Sequence, residues 1–242
     1  LGRSNAEVAA KSRSQHKSQG FGSSPSLGSQ KEYLELINGA ALNSNDPFSG
    51  VNTQWSRIPG GIPIGKMVEK ALANFDLEKP HASVPQLLLI FKKIQSLEDS
   101  HWRKIKLREV KSILQNCLGL RLQFNTNQPT GVANTNVSIN LKAINPSPLA
   151  VTISTIEGAT SLVVNQKLTS NDAWEKRQTL RLPNIQTTPY WLLEKGDTGN
   201  YKVSNEALKG LPETPNSIKA RFHLIVEGTP LQLDIPLSYR TT

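Results

Sequence analysis

The spacing of apolar residues changes once along the chain, near residue 119. Before it, the period is that of a helix. In IGKMVEKALANF, residues 64–75, Met67, Val68, Ala71, Leu72 and Phe75 recur every three or four positions and predict an amphipathic helix with those side chains inward. Ser83 and Pro85 then open a second helix, Ser as N-cap and Pro in its first turn. Its body, QLLLIFKKIQSL (86–97), is apolar nearly all round in its first half and is therefore expected at the centre. A third helix begins after Asp99-Ser100. It places Leu107, Val110, Ile113, Leu114 and Cys117 on one face and stops at Gly119.

After Gly119 the period drops to two. LRLQF (120–124), NVSINLKAI (136–144), LAVTISTI (149–156), QTLRLP (178–183), IKARFHLIVEG (218–228) and LQLDIPLSY (231–239) alternate or are β-branched. Turn clusters such as NPSP, NIQTTP, ETPN and GTP divide them. Six or seven short strands of this kind predict an antiparallel β-sandwich of immunoglobulin-like size, without the hallmark cysteine pair. Ahead of the helices, residues 5–18 read as a helix with Asn5 as N-cap. GFGSSPSLGSQ (20–30) reads as loop, and KEYLELINGAAL (31–42) as a short strand or helix ending near Gly39. Residues 43–61 are turn-rich. Tyr33, Leu34, Phe48 and Trp55 are expected to lie against the helical block, each worth roughly 1.5–3 kcal/mol when buried. The fold class is thus α+β: a loop-rich and helical N-terminal part (1–61 and 62–118), then a β-sandwich (119–242). No internal repeat is visible.

Composition narrows the chemistry. Of 242 residues 37% are hydrophobic and only 19% charged, the polar remainder being suited to β-rich and secreted chains. No apolar run approaches the roughly 18 residues of a membrane span. A single cysteine, Cys117, excludes an internal disulfide, and its place on a helix face makes it a small buried apolar residue rather than a nucleophile. The formal charge is +9. The densest basic stretch is HWRKIKLREVK (101–111), whose Arg103, Lys104, Lys106, Arg108 and Lys111 suit phosphates. With no RNP-like motif, zinc finger or phosphate loop beside them, they read as the solvated face of a helix, and no nucleic-acid partner is expected. His16, His81, His101 and His223 are scattered, without HxH, HxxxH or HExxH spacing, so no metal site is predicted in this chain. No GxSxG elbow, Walker loop or carboxylate pair marks a catalytic centre, and no catalytic residue is assigned. Tyr190 and Trp191, in TTPYWLLEKGDTGNYKV beside Tyr201, stand out: they stack on a sugar, with Lys195, Asp197 and Asn200 at the rim, or they cap one end of the sandwich core.

At AAKSRSQHKSQGFG (9–22), Lys11, His16, Ser18 and Gln19 echo the closing helix of a catalytic domain in the PIG-L/LmbE-like deacetylases, with a shorter Lys–His spacing. The rest resembles the region C-terminal to that domain in long multidomain members: GFGSS and EYLELI (20–37), DPFSGV with WSRIPGG (46–61), FDLEKPHASVPQLL (75–88), TPYWL (188–192) and LPETPN (211–216). The resemblance covers nearly the whole chain. It implies a parent reaction in which zinc-bound water removes the N-acetyl group from an N-acetylglucosamine-type sugar. The family's His-Pro-Asp-Asp-Glu motif does not occur here, so no zinc ligand or base carries over, and His16 is a candidate substrate contact only. The chain is then expected to be a non-catalytic accessory region. Its zinc would sit in the catalytic domain of the same polypeptide, its location would be periplasmic or secreted, and glycan contact would fall to His16, Tyr190, Trp191 and Tyr201. Two other readings stay open: an autonomous carbohydrate-binding or adhesion sandwich, and a fragment that completes the deacetylase site with residues 12–22.

Overall fold

Where helical periodicity is strongest, α-helices form. In the computed structural model, which describes residues 2–19, 22, 24, 26–29, 31–39, 41 and 44–240, they are α1 (Asn5–Arg13), α2 (Gly61–Ala73), α3 (Val84–Gln95) and α4 (Ser100–Leu118). Eight strands come after them: β1 (Arg121–Thr126), β2 (Asn136–Ile144), β3 (Val151–Gly158), β4 (Leu162–Lys167), β5 (Ala173–Arg181), β6 (Lys219–Val226), β7 (Thr229–Pro236) and β8 (Ser238–Tyr239). The class is mixed α+β, with two four-stranded sheets ordered β5-β2-β1-β8 and β4-β3-β6-β7. The chain divides into two units, Leu1–Val51 and Asn52–Thr242.

In the first unit, α1 starts on a capping box. The Ser4 hydroxyl accepts from the Glu7 amide at 3.2 Å, and the Glu7 carboxylate accepts from the Ser4 amide at 2.7 Å. Ser4, not Asn5, is therefore the N-cap, and the helix ends at Arg13, short of residue 18. A turn of 3₁₀-helix, Lys17–Gln19, comes next. Residues 31–39 adopt neither the strand nor the helix expected of them. Parts of the expected loop and of the segment after it, Gly20, Phe21, Ser23, Pro25, Gln30, Ala40 and Leu42, lie outside the described residues. Tyr33, Leu34 and Phe48 are exposed, so the expected burial fails for them. Their flanks, rich in Gly, Ser, Asn and Glu, offer too little apolar surface to offset the entropy of ordering.

In the second unit, Trp55 does pack against the core. It sits in a 3₁₀ turn, Trp55–Arg57, whose backbone closes on the start of α2: a Cβ at Gly61 would lie 2.1 Å from the Trp55 carbonyl oxygen. Only glycine allows that approach. α2 buries Gly61 and Ile64, with Met67, Val68 and Ala71 half-buried against the core. Leu72 and Phe75 depart from the expected face, being 76% and 45% exposed. α3 is the central helix, burying Val84, Leu87, Leu88, Ile90, Phe91 and Ile94. Ser83 does not cap it through its side chain, because a 3₁₀ turn, Pro80–Ser83, leads straight into it. α4 is capped by Asp99, which accepts from the Trp102 amide at 2.9 Å. It buries Val110, Leu114, Cys117 and Leu118, whereas Ile113 points outward. Gly119 ends it at φ 63°, the left-handed conformation of a C-cap, and a Cβ there would stand 2.8 Å from the Pro146 ring.

The strands follow their alternation. β2 buries Val137, Ile139, Leu141 and Ala143, and β6 buries Ala220, Phe222, Leu224 and Val226, each leaving the intervening side chains outward. The buried residues of α2–α4 and of both sheets belong to one continuous core. The strands differ from expectation in three places. β4 is a strand where the alternation predicts none. β5 begins at Ala173 rather than at residue 178. The predicted strand 231–239 is two strands: β7 pairs with β6 up to Pro236, then β8 joins the other sheet beside β1, in parallel. Pro236 ends the first ladder and the chain changes sheet, so the pairing is not antiparallel throughout. Between β2 and β3, buried Asn145 holds the turn. Its Nδ2 donates to the Leu149 carbonyl at 2.9 Å, and its Oδ1 accepts from the Ser147 hydroxyl at 2.7 Å.

Candidate functional site

The outward side chains of β1, β2 and β5 are polar without exception along the middle of the sheet. Register sets them in rows: Asn125 beside Asn140 beside Arg177, and Gln123 beside Lys142 beside Glu175. β8 lies alongside Asn125, and the Arg240 amide then donates to the Thr126 carbonyl at 3.0 Å, which brings its side chain over the same face. Together these residues line a cleft of about 390 Å³. Arg240 donates to Gln123 Oε1 at 3.2 Å, and Asn125 Nδ2 donates to the same oxygen, also at 3.2 Å. Lys142 and Glu175 form an ion pair at 2.6 Å. The lysine's hydrogen bond, then its charge, holds the Glu175 carboxyl below its ordinary range, so it is a carboxylate at neutral pH. One buried group stays unsatisfied among the described residues. Asn140 Oδ1 is buried with no hydrogen-bond partner. Among the described residues the Arg177 guanidinium makes no hydrogen bond; its charge acts on Glu175.

The aromatic residues singled out in the sequence lie between β5 and β6. Tyr190 is buried. Its hydroxyl donates to the Leu211 carbonyl at 2.9 Å, its amide donates to Thr214 Oγ1 at 2.8 Å, and its ring meets Trp191 edge-on at 5.0 Å. It thus supports the loop and Trp191, which is half-buried, and does not itself present a surface. Tyr201 is exposed, on a hairpin where Glu194 accepts from the Ser204 amide and hydroxyl at 2.9 and 2.8 Å. Tyr190 and Trp191 are brought together; among the described residues no ring contact joins Tyr201 to them. His16 is exposed just after α1, in the first unit.

Several of the other singled-out groups have structural partners. The basic stretch 101–111 lies on α4. Arg103 donates to the Leu97 carbonyl at 2.6 Å, Lys106 pairs with Glu109 at 2.8 Å, and Arg57 stacks 4.6 Å over the Trp102 ring. Burial lowers the Lys111 pKa, against the pull of Asp234 and with the help of Arg221. Burial pushes the Cys117 thiol up, away from the reactive thiolate. His223 is half-buried on the outer face of β6, with Nε2 3.0 Å from Glu157 Oε2 and Nδ1 3.4 Å from Gln232 Nε2. Among the described residues no group of three or more His, Cys, Asp or Glu is placed to hold a metal. Zinc, which the deacetylase resemblance implies, therefore finds no ligand set in them, and no step of zinc chemistry is assigned to this chain. No described helix is long and apolar enough to cross a membrane.

The cleft escapes a reading of the sequence because its residues are Asn, Gln, Ser and Lys at alternate positions, the ordinary composition of a solvated sheet face. The usable signal is the run of outward amides in RLQFN and NVSIN, at positions 123, 125 and 140, which becomes a site only once register aligns them.

No family profile and no curated protein matches the chain. Among solved structures, a Pseudomonas fluorescens alkylpurine DNA glycosylase AlkC bound to DNA containing an abasic site analog is similar at 9% identity and a TM-score of 0.21. The alignment covers 69% of this chain and 49% of that one, so the chain spans about half of that protein's length, and a likeness this low carries no argument.

Proposed function

We propose that this chain is a non-catalytic accessory region of a PIG-L/LmbE-like deacetylase. In this reading the two sheets form an immunoglobulin-like β-sandwich, and the helical block docks on the catalytic domain of the same polypeptide, in the periplasm or outside the cell. The zinc-dependent removal of N-acetyl from an N-acetylglucosamine-type sugar belongs to that domain. The observation that carries the proposal is an apolar cluster at the end of α2: Leu72, Phe75 and Leu77 are 76%, 45% and 84% exposed. They sit on a block fixed to both sheets by a shared core. Exposed apolar side chains this close in sequence suit a surface that a permanent partner covers. The polypeptide encoded ahead of Leu1 tests the reading: a His-Pro-Asp-Asp-Glu motif there is expected, and a different catalytic or binding domain in its place refutes the deacetylase assignment.

A second reading, an autonomous carbohydrate-binding module, is favoured by the polar cleft across β5-β2-β1-β8, whose amides and hydroxyls suit sugar hydroxyls. Trp191 and Tyr201 supply further aromatic faces in this reading, with Tyr190 as the buttress beneath Trp191.

A further inference from the structure

We propose that the cleft over β5-β2-β1-β8 binds an acidic oligosaccharide, its carboxylate or sulfate groups held by Arg177 and Arg240 and its hydroxyls met by the amide side chains between them. This rests on the binding-module reading and gives its ligand a class. The cations bracket the cleft. Arg177 is on β5 and Arg240 comes just after β8, three strand spacings apart, or about 14 Å at about 4.8 Å each. Between them lie Gln123, Asn125 and Asn140. Lys142 is already committed to Glu175, so the charge left for a ligand is that of the two arginines. Among the described residues nothing engages the Arg177 guanidinium by a hydrogen bond, and of the Arg240 side chain only Nη1 is engaged, by Gln123. Arginine forks match planar or tetrahedral oxyanions. The amides of Gln123, Asn125 and Asn140 line the cleft between the two arginines and offer both donors and acceptors to sugar hydroxyls.

A neutral sugar carries no charge to meet the two guanidinium groups. A nucleic acid would answer them with phosphates, but the cleft has no aromatic side chain on which a base stacks.

The test is titration calorimetry of the intact chain at low salt against four probes: a galacturonate trisaccharide, a sulfated disaccharide-repeat oligomer, a neutral cello-oligosaccharide and a single-stranded oligodeoxynucleotide. At least one acidic oligosaccharide is expected to bind more tightly than the other two classes, and which one identifies the acid group. Arg177→Gln and Arg240→Gln should each weaken it by at least about tenfold. Asn140→Leu, which removes an amide from the cleft lining and a buried unpartnered acceptor, should weaken it while leaving the melting temperature unchanged or raised. Arg177→Lys, which keeps the charge on an exposed side chain, serves as a folded control and should recover part of the affinity. Equal binding of the neutral sugar, insensitive to Arg177→Gln but lost in Asn140→Leu, overturns the acidic assignment and leaves the binding module standing. Preference for the oligonucleotide overturns it in favour of nucleic acid. No binding of any probe overturns both.

Discussion

Tyr190 shows how a residue chosen for its chemistry can be held by its packing. Its ring is buried, and its hydroxyl answers the Leu211 carbonyl across the long β5–β6 connection. Tyr190→Phe should therefore cost about 1 kcal/mol and speed proteolysis between residues 183 and 217, with the sheets intact. Thermal melts and timed digestion read this; an unchanged digestion rate would show that the hydroxyl does not tie the loop. Asp234 makes a second case. Hydrogen bonds from Arg221 at 2.7 and 3.0 Å hold its carboxyl below the ordinary range, with burial opposing. A depressed folded pKa means that the stabilisation is present above the unfolded value of about 4 and is lost as pH falls through the folded value. Both side chains are about half exposed, so the effect should stay under about 1 kcal/mol. The stability gap between the wild type and Asp234→Asn should narrow below about pH 4 in denaturant titrations; a constant gap would mean that the pair does not titrate as the geometry implies.

Elements are legible in the sequence where one face is wholly buried. α3, β2 and β6 carry apolar residues at nearly every inward position, and each lies where its period puts it. β5 is half-hidden because its inward row, Trp174, Lys176, Gln178 and Leu180, has apolar residues only at its ends. β4 is hidden because it is an edge strand with no fully buried residue: Leu162 and Val164 are half-buried and Val163 faces solvent. The exit of α2 misleads for another reason. Its helical period continues through Leu72 and Phe75, but the core does not extend to them, and they stay 76% and 45% exposed. The candidate cleft is illegible at this scale, since it depends on register across three strands. α4, by contrast, rests on a readable cap. Asp99→Ala should cost about 1 kcal/mol, measured as a fall in melting temperature, and Asp99→Asn should restore most of it. Equal losses in both variants would point to a role other than capping.

At the scale of the molecule, the second unit behaves as one body because its helices and sheets share a core. Leu114, on α4 and fully buried, tests that unity: Leu114→Ala should cost about 2–5 kcal/mol and lower the helical and strand signals together in one transition. Separate transitions would divide the helical block from the sheets. The shared core makes the exposed cluster at the end of α2 a fixed feature, and the accessory reading turns on what covers it. The most direct measurement is the mass in solution of the chain mixed with the separately produced catalytic domain that the accessory reading places ahead of it. The account predicts a one-to-one complex that Leu72→Asp with Leu77→Asp dissociates without lowering the chain's own melting temperature. Two unassociated species for the unmodified chain, or a complex indifferent to those substitutions, would contradict it.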